Sequence, residues 1–367
     1  MDIAKQYLPA FAAAAALAVG VAACGDADSP STAAEGEGRA LSGSIAGAGA
    51  SSQAAAEEAW IAAFQDRHPG VTVSYDPVGS GAGREQFAAG AVAFAGTDAA
   101  LEGEELAAAG RRCGGLDNLI EAPVYVSPIA IAYNLPGVEE LNLTPETLAR
   151  ILKGEITRWD DPAIAATNPG ADLPGERITV VHRSDESGTT ENLAEYLAAA
   201  AGEVWDFEVS GDWPVDGQEA AQGTSGVVAA VRNGQGTIGY ADASQAGDLG
   251  VARIRVGDEF VAPTAEAAAA ILDASQETDD PGRFVFTYEL ARDTTDAGAY
   301  PIVLVSYELA CTRYDSPAEA ALVKAFLSYV ISEEGQQAAA RAAGSAPISA
   351  ELRRKLEPAV EAIGGDA

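Results

Sequence analysis

Apolar runs alternate with amphipathic stretches along most of the chain, and one such pair brackets a polar turn. Residues 178–181 form a β-branched run that predicts a buried strand. Residues 191–198 place Leu193, Tyr196 and Leu197 on one face of a predicted helix. The turn between them holds an arginine, hydroxyl groups and a glycine. The pattern therefore predicts a strand, a polar turn and a helix N-terminus in succession.

Polar turns of the same kind follow three predicted strands upstream. These strands cover residues 41–50, 71–75 and 91–98, and predicted helices cover 53–68 and a short segment ending near 87. Ser51 and Ser52 follow the first strand, Ser80 follows the second, and Asp98 ends the third. The recurrence of this pattern indicates that these turns have a common function.

Further strands and helices are predicted downstream. The strands cover 124–133, 237–240 and 302–307, and the helices cover 144–151, 223–231, 264–272, 318–328 and 333–343. We expect Pro128 to break the first of these strands, because proline cannot donate a ladder hydrogen bond. Strands alternating with helices predict an α/β architecture with mixed sheets.

The turn after residues 178–181 has the chemistry of an anion site. The first N–H groups of a helix point outward without internal partners. Ser187 and Thr189 add hydroxyl donors, and Gly188 permits close approach of the backbone. Arg183 supplies a planar fork of donors that matches a tetrahedral oxyanion. We infer a site for a small oxyanion; the alternative is an ordinary helix cap beside a surface ion pair between Arg183 and Asp185.

Composition and charge narrow the classes of function. The chain has 367 residues, enough for two domains, and a formal net charge of −33. Such a charge excludes nucleic acid, whose binders need a basic face, and docking on anionic lipid through a basic patch. Exposed charges are screened over about 8–10 Å at physiological salt, so a site built from local dipoles and one buried arginine remains compatible with an acidic surface.

The N-terminus predicts export. Residues 1–23 carry one early lysine and an apolar, alanine-rich run that ends in small residues before Cys24. This resembles a bacterial lipoprotein signal peptide, so we expect Cys24 to be lipidated and the protein to be anchored on the outer side of the cell membrane. The alternative is a plain secretory signal, which would release the protein. Residues 24–40 predict a flexible tether.

The three cysteines fit an exported protein. If Cys24 carries lipid, Cys113 and Cys311 remain, and two remaining thiols in an oxidising compartment often form a disulfide. Two separate buried thiols are the alternative. The cysteines and the histidines show no paired ligand spacing, so we expect no metal and no cofactor.

Several short motifs, taken together, resemble the phosphate-binding proteins (PstS-like) of bacterial phosphate ABC importers. The resemblance runs from about residue 41 to about residue 347. The motifs are GAGAS at 47–51, VGSG at 78–81, FAGTD at 94–98, KGEITRW at 153–159, RSD at 183–185 with SGT at 187–189, IGY at 238–240 and YPI at 300–302. Their order and spacing are specific, although each motif alone is weak.

This resemblance implies a two-lobed, periplasmic-binding-protein-like (class II) fold with a ligand cleft between the lobes. Lobe one would comprise residues 41–128 and 302–367, and lobe two residues 129–301. The resemblance assigns phosphate contacts to Ser51, the Ser52 N–H, Ser80, Asp98, Arg183, Ser187, the Gly188 N–H and Thr189. It also implies that Asp185 orients Arg183, that a hinge closes on phosphate, and that a monomer delivers the phosphate to membrane permease subunits.

Asp98 suggests how such a site would select its ligand. Phosphate retains a proton at neutral pH, whereas sulfate has none, so ionised Asp98 accepts a hydrogen bond only from phosphate. An unpaired buried polar group costs about 1–3 kcal/mol, which disfavours sulfate. Arsenate shares the shape and protonation of phosphate, so weak discrimination is expected there.

A secreted phosphatase or other serine-type hydrolase is the competing function. It would need an activated nucleophile or metal ions. Strand alternation points His182 away from the face of Arg183, and His68 lies at a helix end. No Gly-x-Ser-x-Gly elbow occurs at the hydroxyl turns. The sequence therefore favours a binding protein over an enzyme.

Overall fold

The computed structural model describes residues 41–278 and 281–365 of the chain. The helices are α1 (Ala54–Arg67), α2 (Ser80–Ala88), α3 (Gly103–Cys113), α4 (Pro145–Lys153), α5 (Pro162–Ala165), α6 (Gly188–Ala201), α7 (Gly223–Asn233), α8 (Ala265–Ala274), α9 (Pro317–Val330), α10 (Glu333–Ala343) and α11 (Ala350–Glu361). The strands are β1 (Gly43–Gly49), β2 (Val71–Asp76), β3 (Phe94–Thr97), β4 (Leu119–Asn134), β5 (Asn142–Leu143), β6 (Thr179–Arg183), β7 (Glu219–Ala221), β8 (Thr237–Asp242), β9 (Gly250–Val251), β10 (Arg253–Val256), β11 (Glu259–Val261), β12 (Gln276–Glu277), β13 (Phe284–Val285), β14 (Tyr288–Glu289) and β15 (Val303–Cys311). The predicted signal peptide, Cys24 and the tether lie outside the described residues.

Side-chain caps determine where several helices begin. Ser187 Oγ accepts a hydrogen bond from the N–H of Thr190 at 3.3 Å, so the first turn of α6 starts at Gly188. Thr144 caps α4 in the same way by accepting from the N–H of Thr147. The cap places the N-terminus of α6 directly after the polar turn that follows β6.

One mixed sheet of ten strands organises the fold, in the order β2-β1-β3-β15-β4-β8-β6-β7, with β13 and β9 paired to β4 outside this path. β1 runs parallel to β2 and β3, and β6 runs parallel to β7 and β8. β15 and β4 are antiparallel to their neighbours in the centre. Parallel strands have their carboxyl ends at one edge, so the turns after β1, β2 and β3 lie together, as do those after β6 and β7.

The longest strand, β4, does not break at Pro128, so that prediction is wrong. β4 runs through 16 residues, and its partner changes at this proline. Residues 119–128 pair with β15, and residues 129–134 pair with β8. A proline lacks the N–H that a ladder requires, and it is tolerated here because it stands where one partner strand replaces another.

Cys113 and Cys311 form a disulfide, as the sequence predicted, and the alternative of two separate thiols is wrong. The bond joins the C-terminus of α3 to the end of β15, across 198 positions of sequence. Both sulfur-bearing residues lie in a small buried cluster with Phe87, Leu119 and Leu309. Along residues 41–278 and 281–365, no helix has the length and apolar character needed to cross a bilayer.

Candidate anion-binding site

The N-termini of α1, α2, α6 and α7 converge on one buried polar cluster. The N–H of Thr224 donates to Ser51 Oγ at 3.0 Å, which joins the start of α7 to the turn before α1. The N–H of Asp98 donates to Ser80 Oγ at 3.2 Å, at the start of α2. Thr189 Oγ1, in the first turn of α6, lies 3.0 Å from the Asp98 carboxylate. Helix N-termini carry partial positive charge, so this arrangement favours an anion.

Asp98 lies at the centre of the cluster and is 3% exposed. Ser52 Oγ lies 2.6 and 2.8 Å from its two carboxylate oxygens, so one hydroxyl hydrogen is shared between them. Ser306 Oγ donates to Oδ1 at 2.7 Å, and Thr189 Oγ1 donates to Oδ2 at 3.0 Å. The carboxylate thus has three hydroxyl donors within the protein. Its hydrogen bonding does not depend on a ligand, contrary to the expectation from sequence that sulfate would leave it without a donor.

Arg183 is held at the cluster by Asp185. Its Nε donates to Oδ1 at 2.8 Å and its Nη2 donates to Oδ2 at 2.5 Å. The N–H of Gly223 also donates to Asp185, at 3.0 Å. Burial alone would raise the pKa of Asp185, but the hydrogen bonds and charge of Arg183 outweigh burial and hold that pKa below its ordinary value. Within the described ranges Nη1 makes no hydrogen bond, so it is the donor that Arg183 offers to a ligand.

The remaining hydroxyl groups differ in what they can donate. Ser80 Oγ and Ser187 Oγ both accept backbone N–H groups, which leaves their hydrogens for another acceptor. Ser51 Oγ and Thr224 Oγ1 lie 2.9 Å apart, so one of the two hydrogens is used between them. The protein itself therefore leaves three hydroxyl hydrogens without an acceptor, those of Ser80 and Ser187 and one from the pair of Ser51 and Thr224.

Gly188 is required where α6 approaches the strand ends. A β-carbon at this position would lie 2.7 Å from Cβ of Asp98 and 2.8 Å from Ser80 Oγ. Asn192, one turn further along α6, donates to the carbonyl of Asp98 at 2.7 Å. The glycine thus lets the helix N-terminus reach Asp98 closely.

Comparisons with known proteins identify the family of this chain. The profile of the PBP superfamily domain matches residues 32–334. The chain is 38% identical over 317 residues to phosphate-binding protein PstS 3 of Mycobacterium tuberculosis, across 85% of each protein. This chain belongs to the PstS family. It is also 34% identical over 296 residues to phosphate-binding protein PstS of Methanocaldococcus jannaschii, across 75% of each.

A solved structure supports the fold of this PstS family member. A high-affinity periplasmic phosphate-binding protein bound with phosphate superposes with a TM-score of 0.70 at 23% identity, over 86% of this chain and 93% of that one. The predicted α/β, two-lobed, periplasmic-binding-protein-like fold is confirmed.

The structure places every predicted ligand residue of the described chain in the cluster. These residues are Ser51, Ser52, Ser80, Asp98, Arg183, Ser187, Gly188 and Thr189, with Asp185 beside Arg183.

Sequence reasoning missed Ser306, Thr224, Asn192 and Gln245, whose Nε2 donates to the carbonyl of Ser51 at 2.9 Å. Thr224 alone had a signal, because it follows a glycine at the start of a predicted helix. The other three act through contacts that only the folded chain creates.

Neither histidine is placed to activate a hydroxyl of this PstS-family site. The ring of His182 stacks on Trp213 at 5.4 Å, and its Nδ1 lies 2.8 Å from the carbonyl of Arg183. His68 packs against Phe64 at the end of α1. Over residues 41–278 and 281–365, no group of three or more His, Cys, Asp or Glu side chains is arranged to hold a metal. The hydrolase alternative thus has no support from the positions of these groups.

Proposed function

We propose that this chain is an extracytoplasmic, high-affinity receptor for inorganic phosphate that delivers its ligand to a membrane ABC importer. The observation that carries the proposal is the convergence of four helix N-termini and Arg183 on one buried polar cluster. A compact tetrahedral oxyanion matches the charge and the several converging donors of this cluster. The names of the PstS relatives agree with it.

Each site residue has a role in this proposal. Nη1 of Arg183 and the hydroxyls of Ser80 and Ser187 donate to phosphate oxygens, together with the N–H groups of Ser52 and Gly188. Ser51 and Thr189 complete the set of ligand contacts. Because the hydroxyl of Thr189 donates its hydrogen to Asp98, it contacts the ligand either as an acceptor or after the hydroxyl has rotated.

Asp98 makes the site selective for a protonated anion. Its three hydroxyl donors leave part of the acceptor capacity of the carboxylate for a ligand proton. A monoprotonated or diprotonated phosphate supplies such a proton, whereas sulfate adds only charge repulsion. We therefore expect strong preference for phosphate over sulfate.

The lobes of the proposal are residues 41–128 with 302–367, and residues 129–301, joined by a hinge that closes on phosphate. The exchange of partners along β4 after residue 128 supports the first boundary. One exception is β13, within the second range, which pairs with Ile120 and Glu121 of β4 on the lobe-one side. The segment 129–301 therefore returns to the lobe-one part of β4 before it reaches residue 301.

The proposed setting is the outer face of the cell membrane. The lipoprotein-like segment before Cys24 supports an anchor there, and the permease subunits of the importer are separate chains. The acidic surface, with a net charge of −33, favours neither nucleic acid nor anionic lipid as a partner. We expect the receptor to act as a monomer.

An arginine substitution with a matched control tests the proposed function. Arg183→Gln removes the buried charge, and we expect phosphate affinity to fall by about 2–5 kcal/mol, which is the cost of truncating a buried charged donor. Arg158 forms the same fork with Asp160 two residues away, at 3.0 and 3.2 Å, but on the surface. Arg158→Gln should leave affinity unchanged. Equal effects of the two variants, measured by calorimetry, would contradict the assignment.

A further inference from the structure

A second buried arginine lies beside the site, on the first of the two lobes. Arg84 belongs to α2, and its side chain is 6% exposed. Nη1 donates to Thr97 Oγ1 at 3.0 Å, and Nε lies 2.9 Å from a carboxylate oxygen of Glu105 on α3. The hydrogen bond to Thr97 holds the guanidinium against its own lobe. One terminal nitrogen, Nη2, remains for a partner elsewhere.

That partner is Glu186, in the turn between β6 and α6. Nη2 of Arg84 lies 2.7 Å from Glu186 Oε1, across 102 positions of sequence. The Glu186 carboxylate also covers Gly81 of α2, where a β-carbon would overlap Oε2, and approaches Gly211 on its own side. The glutamate therefore reaches from the phosphate-binding turn of one lobe onto the helix N-terminus of the other.

We propose that the Arg84–Glu186 ion pair is a latch between the lobes that slows the release of phosphate. This inference rests on the proposed function, because it concerns the same cleft. The pair joins α2 to the turn after β6, and those two elements separate when a hinge between the lobes opens. An interaction present in only one of two states shifts the equilibrium toward that state.

The surroundings of Arg84 make the pair effective. Burial alone would lower the pKa of Arg84, but the charges of Glu186 and Glu105 raise it above the ordinary value, so the guanidinium stays charged. Burial raises the pKa of the nearby Glu191 to about 7, so that residue adds only a partial negative charge at neutral pH. Opening the cleft would remove Glu186 from this arginine while Glu105 stays in place. The latch thus acts through one carboxylate, and the hydrogen bond to Thr97 positions the guanidinium for it.

A matched pair of variants separates a latch from a general charge effect. Glu186→Gln and Glu105→Gln each remove one negative charge next to Arg84, but only Glu186 crosses the cleft. In the full chain we expect Glu186→Gln to raise the dissociation rate of phosphate on the order of tenfold, as for a typical coupling between states. The association rate should change little, and Glu105→Gln should leave both rates within about twofold.

Stopped-flow release of phosphate into excess phosphate-sequestering protein provides the dissociation rate. A faster release in Glu186→Gln and Glu186→Ala, but not in Glu105→Gln, is the expected result. Equal release rates in the wild type and the Glu186 variants, or an equal acceleration by Glu105→Gln, would overturn the latch. Failure of the wild type to bind phosphate at all would instead overturn the proposed function, so the two failures are distinguishable.

Discussion

Asp98 is a buried carboxylate whose side-chain partners are all hydroxyl groups. Serine and threonine hydroxyls donate one hydrogen each and carry no charge, so they satisfy the oxygens without cancelling the negative charge. An arginine in the same place would cancel it. The arrangement therefore keeps a negative charge facing an anion site, which makes sense only if the preferred anion brings a proton.

The hydroxyl of Tyr240 forms hydrogen bonds with two residues of the site region, and a single substitution can remove it. It accepts a hydrogen bond from the N–H of Arg183 at 3.2 Å and lies 2.6 Å from Thr190 Oγ1, and burial raises its pKa to about 12. Tyr240→Phe leaves two buried groups unpaired, so we expect the free energy of unfolding to fall by about 1–3 kcal/mol in urea denaturation.

Tyr329→Phe is the control for this change. Among the described residues the hydroxyl of Tyr329 is buried without a hydrogen-bond partner. Removing it should cost nothing measurable or stabilise the protein slightly. A loss in Tyr329→Phe as large as that in Tyr240→Phe would show that the hydrogen bonds of Tyr240 are not the cause.

Glu57 and Glu308 are two buried carboxyl groups that face each other next to the turn before α1. Burial raises the pKa of Glu57 to about 7 and that of Glu308 well above its ordinary value; Gln53 and Tyr75 are the neighbouring polar groups. Because the folded pKa values are raised, the stabilising contribution is fully present below about pH 4.5, the ordinary pKa of a glutamate, and is lost as pH rises through about 7.

We therefore expect Glu308→Gln to be more stable than the wild type at pH 8, and the difference to shrink as pH falls toward 5. Denaturant unfolding over this pH range measures the difference in unfolding free energy between the variant and the wild type. The contributions of other buried acids such as Asp242 cancel in this difference, because both proteins contain them. Glu58→Gln, on the exposed face of the same helix as Glu57, should show no such trend. A difference independent of pH would show that the raised pKa values of this pair do not affect stability.

At the residue scale, the sequence allowed us to predict the site residues that follow predicted strands. It did not reveal the site residues that only the folded chain brings to the cluster. Ser51, Ser80 and Asp98 each stand at a predicted strand end, where ligands bind in α/β sheets. Ser306 lies inside β15, 208 positions from Asp98, and carries no local mark of its role. Its side chain reaches the site only because β15 pairs with β3.

At the scale of elements, the approach of α6 to the ends of β1, β2 and β3 builds the site. Gly188 permits that approach, so Gly188→Ala should push the helix away and lower phosphate affinity by about tenfold or more, since the added methyl overlaps two side chains. Gly226→Ala, inside α7, is the control, because its β-carbon would meet ordinary contacts at 3.6 Å. Calorimetric titration compares them, and unchanged affinity in Gly188→Ala would contradict the close approach.

The helices and strands that were predicted are those with a strong local pattern. α1 and α6 have helical apolar spacing, α6 and α10 have serine caps, and the predicted bounds of all three lie within three residues of the observed ones. α3 and α11 were missed. In α3 Leu106 is the single large apolar residue, so the segment shows little apolar periodicity although alanine, glutamate and arginine favour helices, and α11 contains Pro358. β4 was predicted to break because local reasoning treats proline as a strand end, whereas the exchange of partner strands is a tertiary event.

At the scale of the whole molecule, the acidic surface opposes the approach of the ligand. The net charge is −33, and the cluster that attracts the anion is buried. Salt screens exposed charges more strongly than buried ones, so we expect the association rate of phosphate to rise about two- to tenfold between about 0.01 M and 0.15 M ionic strength.

Stopped-flow tryptophan fluorescence measures this rate, because Trp213 stacks on Tyr240 at 5.4 Å, next to Arg183. Sucrose at matched osmolality is the control and should not change the rate. A rate that falls with added salt would mean that the local field of the cleft, and not the acidic surface, governs encounter.

In the proposed receptor the four helix N-termini and Arg183 bind phosphate, and Asp98 disfavours anions that lack a proton. The most direct measurement is calorimetric titration of the purified protein, stripped of bound phosphate, with phosphate and then with sulfate at neutral pH. We predict tight one-to-one binding of phosphate and no measurable heat with sulfate. Equal binding of both anions would contradict the role of Asp98, and no heat with phosphate would contradict the receptor itself.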